Sequence, residues 1–87
     1  MLAWEKLGIL TKFALNYRTQ IKGRWYEIYR VDNYHGFLHE QKFWRSSEPI
    51  PVIYKEDWPL QLVINEYMDE IINNFEKYRL YFKRTLK

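Results

Sequence analysis

The C-terminal third of the chain has the pattern of one long amphipathic helix, and this helix constrains how the remainder can fold. Large apolar residues recur there in steps of three and four, so they lie along a single stripe of a helix. These residues are Leu60, Ile64, Tyr67, Ile71, Phe75, Tyr78 and Phe82. Pro59 suits a first helical turn, and we predict a helix over residues 58–83, about 35 Å long. Such a helix buries its apolar stripe against another layer of the same domain.

The residues before the helix have the pattern of a β-meander. Residues 9–18 alternate between apolar and polar side chains with a period of two, which is typical of a half-buried strand. Residues 24–33 and 37–45 are rich in aromatic and β-branched residues, and glycine-containing turns separate the three segments. Two prolines in residues 46–57 restrict any further strand there to a short edge strand. We therefore predict an α+β fold, an antiparallel meander of three to four strands followed by one long C-terminal amphipathic helix packed on one face of the sheet.

Length and composition predict a single domain. The 87 residues leave room for one thin core. We divide residues 1–87 into a lead-in (1–8), the β-meander (9–45), a proline-containing loop (46–57) and the helix (58–83). The chain has no cysteine, which excludes disulfides and cysteine-based zinc sites. It shows no signal-peptide pattern and no apolar run of membrane length, so we expect a cytoplasmic protein that does not enter a membrane.

Aromatic residues make up 20% of the chain, more than one small core is expected to bury. Large apolar side chains occupy both faces of the second and third predicted strands, whereas one helix covers one face. Whichever face the helix covers, we expect side chains such as those of Tyr26, Ile28, Leu38 and Trp44, or their alternates along the strands, to remain outside. A contiguous apolar patch of this kind usually marks an interface, which predicts a homodimer. Alternatively, the lead-in and the proline-containing loop fold over the open face.

The net charge is only +3, but the last eleven residues carry five cationic side chains and no acidic one. Cations collect near the end of a helix because they stabilise its dipole. The same cluster is also typical of a surface that binds nucleic acid or an acidic partner. For the nucleic-acid interpretation, the candidate phosphate-binding residues are Arg30, Lys83 and Arg84.

Polar chemistry concentrates between residues 30 and 40, which we predict to be a strand end, a turn and the next strand. Histidine and carboxylate side chains there suggest a metal site or an acid–base pair. Consecutive strand residues point to opposite faces, so His39 and Glu40 do not share a site without a bulge. The candidate catalytic residues are therefore Asp32, His35 and one of His39 and Glu40, and the second hypothesis stated below uses His39. In the alternative interpretation these side chains hold the turn together. The chain has no glycine-rich phosphate loop or dinucleotide fingerprint, and we expect no cofactor.

The motif Arg-x-Asp-Asn-x-His-Gly-x-x-His over residues 30–39 resembles a motif of small prokaryotic domains. One such group is the TumE-type toxins of toxin–antitoxin pairs, which carry a similar Asp-Asn-x-x-Gly-x-x-His turn. More similar is an uncharacterised bacterial and archaeal domain family with Arg-x-Asp-x-x-His-Gly-x-x-His, whose helix ends near a segment like the Phe-Glu-Lys-Tyr-Arg of residues 75–79. The resemblance covers residues 13–82. Glu40 stands where the toxin pattern often has a further histidine.

Three functional hypotheses follow. The first is a non-enzymatic, dimeric protein-interaction module, supported by the surplus of aromatic surface. The second, implied by the resemblance, is a toxin–antitoxin-like protein that acts on RNA and has an antitoxin-like protein partner. The third is a single-stranded nucleic-acid binder in which outward-facing Tyr26 and Trp44 stack on bases.

Overall fold

The computed structural model describes residues 2–6, 9–34 and 36–86. Its strands are β1 (Leu2–Lys6), β2 (Ile9–Ile21), β3 (Arg24–Asp32), β4 (His39–Lys42) and β5 (Ile50–Pro51). A short 3-10 helix, Ile53–Lys55, and one long helix, α1 (Leu60–Lys83), follow the sheet. The strands form one antiparallel sheet in the order β1-β2-β3-β4-β5, so each strand pairs with its neighbours in the chain.

The predicted α+β class is confirmed, with an antiparallel meander followed by one C-terminal helix. The structure adds β1 from the segment expected to be a lead-in, and this strand pairs with the first half of β2. The proline-containing loop supplies only the two-residue edge strand β5, in keeping with the missing amide hydrogen of Pro51. Helix α1 begins two residues after the predicted start and ends at the predicted residue.

One extra residue in β3 decides which side chains face α1. Tyr17 pairs with Tyr29 and the next residue, Arg18, pairs with Glu27, so Ile28 has no partner on β2. Such a bulge changes the alternation of side chains along its strand. Tyr29 and Tyr26, which lie on either side of the bulge, therefore both face α1. In a regular strand, two residues three positions apart would point to opposite faces. Their rings lie 5.4 Å from the Tyr78 ring and 5.2 Å from the Phe82 ring, respectively.

The four side chains named as remaining outside are buried or partly buried. Ile28 and Leu38 are buried at 0% and 4% exposure, and Tyr26 and Trp44 are partly buried against the core. Trp44 stacks on Tyr78 with ring centroids 4.7 Å apart. The opposite face of β2 instead presents three exposed polar side chains, those of Asn16, Arg18 and Gln20. The large side chains that predicted an interface thus pack inside one chain.

Tyrosines in the core have their hydroxyl groups satisfied by carboxylates. Tyr29 donates a hydrogen bond of 2.7 Å to Glu40, and Tyr78 donates one of 2.9 Å to Glu70. Buried tyrosines usually need such partners, since an unpaired hydroxyl in the core costs stability. Burial, together with the neighbouring carboxylates, raises the pKa of Tyr29 and of Tyr78 well above the ordinary value. Burial also raises the pKa of Tyr67 to about 12.

Lys55 fastens the 3-10 helix to α1. Its ammonium group lies 2.7 Å from the Glu66 carboxylate and 4.4 Å from the centre of the Tyr67 ring. The rings of Tyr54 and Trp58 lie 5.4 and 5.5 Å away, within the range of a cation–π interaction. Burial alone lowers the pKa of Lys55, but the hydrogen bond to Glu66 and the electrostatic influence of Tyr67, Glu66 and Tyr54 together outweigh it, so the pKa is raised. Lys55 is therefore charged and anchored at neutral pH.

Helix α1 follows β2 along the length of the molecule. Leu60 shares a cavity wall with Thr11 near the start of β2, and the Arg79 guanidinium donates to the Gln20 carbonyl near its end. The molecule is 46 Å long and about half as wide. Among the described residues, no helix has the length and apolar character that a membrane span requires.

We predict that the core tyrosines resist ionisation until the chain unfolds. A raised folded-state pKa means that unfolding releases protons above pH 10, so this contribution to stability is complete below about pH 10 and is lost as pH rises further. Tyr29, Tyr67 and Tyr78 should form tyrosinate only together with the loss of the circular dichroism signal. Tyrosinate absorbance and circular dichroism measured on the same samples test this. Complete ionisation of all eight tyrosines with a native spectrum would contradict it.

Candidate functional site

The register of the sheet brings two of the three candidate catalytic residues together. Asp32 and His39 are direct partners on β3 and β4, and their side chains point to the same face. The His39 Nε2 atom lies 3.2 Å from Asp32 Oδ1. Glu40 points to the opposite face, where it accepts the Tyr29 hydrogen bond, as the strand alternation predicted. His35 lies outside the described residues.

The His39 ring is held at both of its nitrogen atoms. Nδ1 lies 3.2 Å from the Phe37 carbonyl oxygen, while Nε2 faces Asp32. The Phe37 ring packs against the imidazole with centroids 5.0 Å apart. The ring is therefore fixed in orientation.

Asp32 gathers donors from its own strand and from the turn that follows. Arg30 Nε donates to Oδ2, and the Tyr34 amide donates to Oδ1 over 3.1 Å. The Arg30 guanidinium also lies 5.9 Å from the centre of the Tyr34 ring. The hydrogen bond to Asp32 raises the pKa of Arg30. Arg30, Asp32 and His39 thus form one charged cluster, which we call the Asp32 cluster.

The adjacent turn is bound to β2 by Asn33. Its Oδ1 accepts from the Phe13 amide over 2.9 Å, and its Nδ2 donates to the Thr11 carbonyl over 3.2 Å. Gly36 closes the turn with a φ of +84°, which favours glycine. These bonds replace sheet pairing where the chain leaves β3, and they explain why Asn and Gly occur at these positions.

The Asp32 cluster is buried. Asp32 is 1% exposed and His39 is 3% exposed. The cavity beside the turn, about 380 Å³ in volume, has Asn33, Gly36 and Phe37 in its wall, and neither Asp32 nor His39 is among its described lining residues. No group of three metal-ligating side chains occurs in the part of the chain that the structure describes. The geometry of these residues fits a structural role, since buried charges are paired with one another.

The three candidate phosphate-binding residues do not form one site. Arg30 belongs to the Asp32 cluster, whereas Lys83 and Arg84 are exposed at the other end of the sheet. Asp32 and Arg24 are eight residues apart on β3, which corresponds to about 25 Å. Two ends of the molecule therefore carry separate functional candidates.

Lys83 lies in a cationic surface that the sequence analysis did not assemble. It lines a cavity of about 440 Å³ together with residues of the β2–β3 hairpin, and we call this cavity the hairpin cavity. Its walls are formed by Ile21, Lys22, Arg24, Tyr26, Lys83 and Leu86. Arg79 ties the helix to this hairpin through its bond to the Gln20 carbonyl, 3.3 Å long. We define the cationic end as Arg18, Lys22, Arg24, Arg79, Lys83 and Arg84.

The hairpin turn holds a lysine in an unfavourable conformation. Lys22 has a φ of 52° and Gly23 a φ of 79°, values typical of the tight turns that join antiparallel strands. Asn or Gly usually occupies the first position, because most other residues lose about 1 kcal/mol of stability in the left-handed conformation. Strain of this kind often accompanies function. Lys22 places a charge at the tip of the hairpin.

Trp25 adds an exposed aromatic ring next to the cationic end. It is 64% exposed and shares a surface concavity with Arg18 on the face of the sheet opposite α1. The sequence analysis did not select Lys22, Arg24 and Trp25 as candidates, although the lengths of β2 and α1 indicate which residues lie near their common end. A 13-residue strand and a 24-residue helix that begin at one end of the sheet must both end near the hairpin tip.

We predict that the Asp32 cluster stabilises the fold. Replacement of Asp32 by Asn removes the negative charge that pairs with Arg30 and His39, and breaking a buried pair costs about 3 kcal/mol. Urea denaturation of Asp32→Asn should show this loss, whereas the matched change Asp69→Asn on the exposed surface of α1 should leave the unfolding free energy nearly unchanged. Equal stability of both variants and the parent chain would contradict a structural role.

No family model matches this chain, and neither a curated protein nor a solved structure does. The resemblance of residues 30–39 to the TumE-type toxins and the related domains therefore stays a prediction. The geometry of the Asp32 cluster and of the cationic end is the basis for the function proposed below.

Proposed function

We propose that this protein binds single-stranded nucleic acid, with RNA as the ligand, through the cationic end. The observation that carries the proposal is a group of cations where the hairpin meets the helix: three of them line one cavity, and Arg18 lies beside exposed Trp25. No Asp or Glu occurs in residues 18–26 or 77–86, the two segments that form this end, and Glu27, the cross-strand partner of Arg18, lies at its border. An excess of positive charge attracts the phosphate backbone and raises the rate of association.

The arrangement of the cations suits an extended backbone better than a single phosphate. Lys22 and Arg24 project from the hairpin, and Lys83 faces the same cavity from the helix. Arg18 lies on the other face of the sheet beside Trp25. A strand that passes around the hairpin tip therefore meets cations on both sides. Each neutralised phosphate contributes to affinity through the release of counterions.

Trp25 and Tyr26 give this surface an aromatic component that simple charge attraction lacks. Unpaired bases stack on exposed aromatic rings regardless of their sequence. Trp25, on the face opposite α1, offers such a platform, while Tyr26 lines the hairpin cavity. Stacking favours single strands over duplexes, whose bases are already stacked. This supports a single-stranded ligand without strong sequence preference.

The toxin-like hypothesis adds RNA cleavage by Asp32, His35 and His39 to this binding. The contact between Asp32 and His39 favours a chemical role. Both side chains are buried, however, and they lie about 25 Å from the cationic end. We therefore propose binding as the function and treat cleavage as a second candidate. Labelled RNA reports both, because cleavage shortens the oligonucleotide and an unchanged rate in His35→Ala would exclude the assigned role.

A cytoplasmic location and a homodimer belong to the same proposal. The cytoplasm holds single-stranded RNA, and the absence of cysteine fits a chain that needs no oxidising compartment. Exposed apolar residues on one flank of α1 support a second copy there, namely Met68, Ile72 and Phe75. Two cationic ends would contact a longer RNA segment, and sedimentation at micromolar concentration measures the mass.

We predict that RNA binding depends on the cationic end and on Trp25. The double variant Arg24→Glu, Lys83→Glu should weaken the affinity for a fluorescent RNA of about ten nucleotides at least tenfold and should flatten the salt dependence. Trp25→Ala should cost about 1–3 kcal/mol of binding free energy with little effect on the salt dependence. Fluorescence anisotropy at several salt concentrations gives both quantities.

The matched control is the double variant Lys12→Glu, Arg45→Glu. It makes the same change in net charge at two exposed positions outside the cationic end. Its RNA affinity should stay within about twofold of that of the parent chain. Any larger loss at low salt should come from long-range electrostatic attraction and should disappear as salt is added. Equal weakening by both double variants, or absence of binding at low salt, would contradict the proposal.

A further inference from the structure

A second surface stands out at the opposite end of α1 from the cationic end. Ile53 and Tyr54 are 73% and 72% exposed, and Trp58 and Ile50 next to them are also exposed. The Tyr54 and Trp58 rings touch edge to face with centroids 6.5 Å apart. We call these four residues the Tyr54 surface. Tyrosine and tryptophan in such clusters usually carry most of the binding energy of a protein interface.

The Tyr54 surface is held rigidly from below. Val52 is buried and its amide donates to the Leu38 carbonyl over 2.9 Å, which fixes the segment to the sheet. Lys55 fixes it to α1 through Glu66 and contacts the rings of Tyr54 and Trp58 from the inner side. The exposed rings are therefore ordered before any partner binds, so binding loses less side-chain entropy. An ordinary exposed loop would not need such an anchor.

Negative charge predominates around this surface. Residues 46–66 contain Glu48, Glu56, Asp57 and Glu66, which are all exposed, and Lys55 is the only cation in this range. Lys55 offsets the charge of its partner Glu66, and exposed Lys12 lines a cavity with Glu56 and Asp57, so the net charge of the surroundings is negative. Complementary charge around an apolar centre determines which partner a surface accepts. An acidic partner is repelled here and a basic one is attracted.

We propose that the Tyr54 surface binds a basic amphipathic segment of another protein. Apolar side chains of the segment pack on Ile53, Tyr54 and Trp58, and its lysine or arginine residues pair with the surrounding carboxylates. The site lies at the other end of α1 from the RNA surface, so it does not depend on the function proposed above. It gives the protein one surface for nucleic acid and another for a protein partner.

Selection from a random peptide library displayed on phage tests this proposal with the full-length chain as bait. The enriched peptides should combine aromatic or aliphatic residues with a positive net charge. Ile53→Ser and Tyr54→Ser should each weaken binding of a selected peptide at least about tenfold, and Glu56→Lys with Asp57→Lys should weaken it more at low salt than at high salt. Both apolar positions are exposed, so circular dichroism should show an intact fold.

Leu80→Ser is the matched control, because Leu80 is 46% exposed on α1 and lies near the other end of that helix from the Tyr54 surface. Its peptide affinity should equal that of the parent chain. Enrichment of acidic peptides, an equal effect of Leu80→Ser and Tyr54→Ser, or no enrichment would overturn the proposal. A second copy of the chain is the competing occupant. It would appear as a sedimenting oligomer that Tyr54→Ser dissociates and Leu80→Ser does not, and this result would also overturn the proposal.

Discussion

The bulge at Ile28 is the constraint on which the rest of the structure depends. By adding one residue to β3, it lets Tyr26, Tyr29 and the buried Ile28 pack beneath the same helix. An unbroken strand would send Tyr26 and Tyr29 to opposite faces and leave one ring in water. With the bulge, a single helix suffices to cover an aromatic core in a chain of 87 residues. The face opposite α1 is then free to carry the polar side chains of β2 and the exposed ring of Trp25.

Because α1 lies along β2, the two ends of the molecule acquire opposite charge. Acidic side chains collect near the start of the helix, while the cationic end lies where the helix and the hairpin finish. Lys83 in the last turn of α1 stabilises the negative end of the helix dipole, whereas the first turn contains no acidic residue. The dipole reaches only the nearest turn, however, and it does not require Lys22 at a strained position or Trp25 in water. These features support binding in addition to helix stabilisation.

The fold class followed from the sequence because it depends on repeated signals. The stripe of α1 and the alternation of β2 each extend over many residues, so a local irregularity does not hide them. The bulge depends on a single residue, and nothing in Glu27-Ile28-Tyr29 distinguishes it from a regular strand. That is why Tyr26 was expected outside, whereas the contact of Trp44 with Tyr78 depends on the turn that follows β4. At the candidate site, strand pairing predicted that His39 and Glu40 separate, but the burial of Asp32 and the grouping of Lys22 with Lys83 depend on tertiary contacts between distant segments.

The most direct test of the account is to map the RNA-binding surface by nuclear magnetic resonance. Amide signals of the isotope-labelled chain are followed while a short single-stranded RNA is added. The account predicts shifts confined to residues 18–26 and 77–86 together with the Trp25 indole, and an unchanged Asp32 cluster. Shifts centred on residues 30–39, with the hairpin and the end of α1 unaffected, would contradict it and would return the function to the turn between β3 and β4.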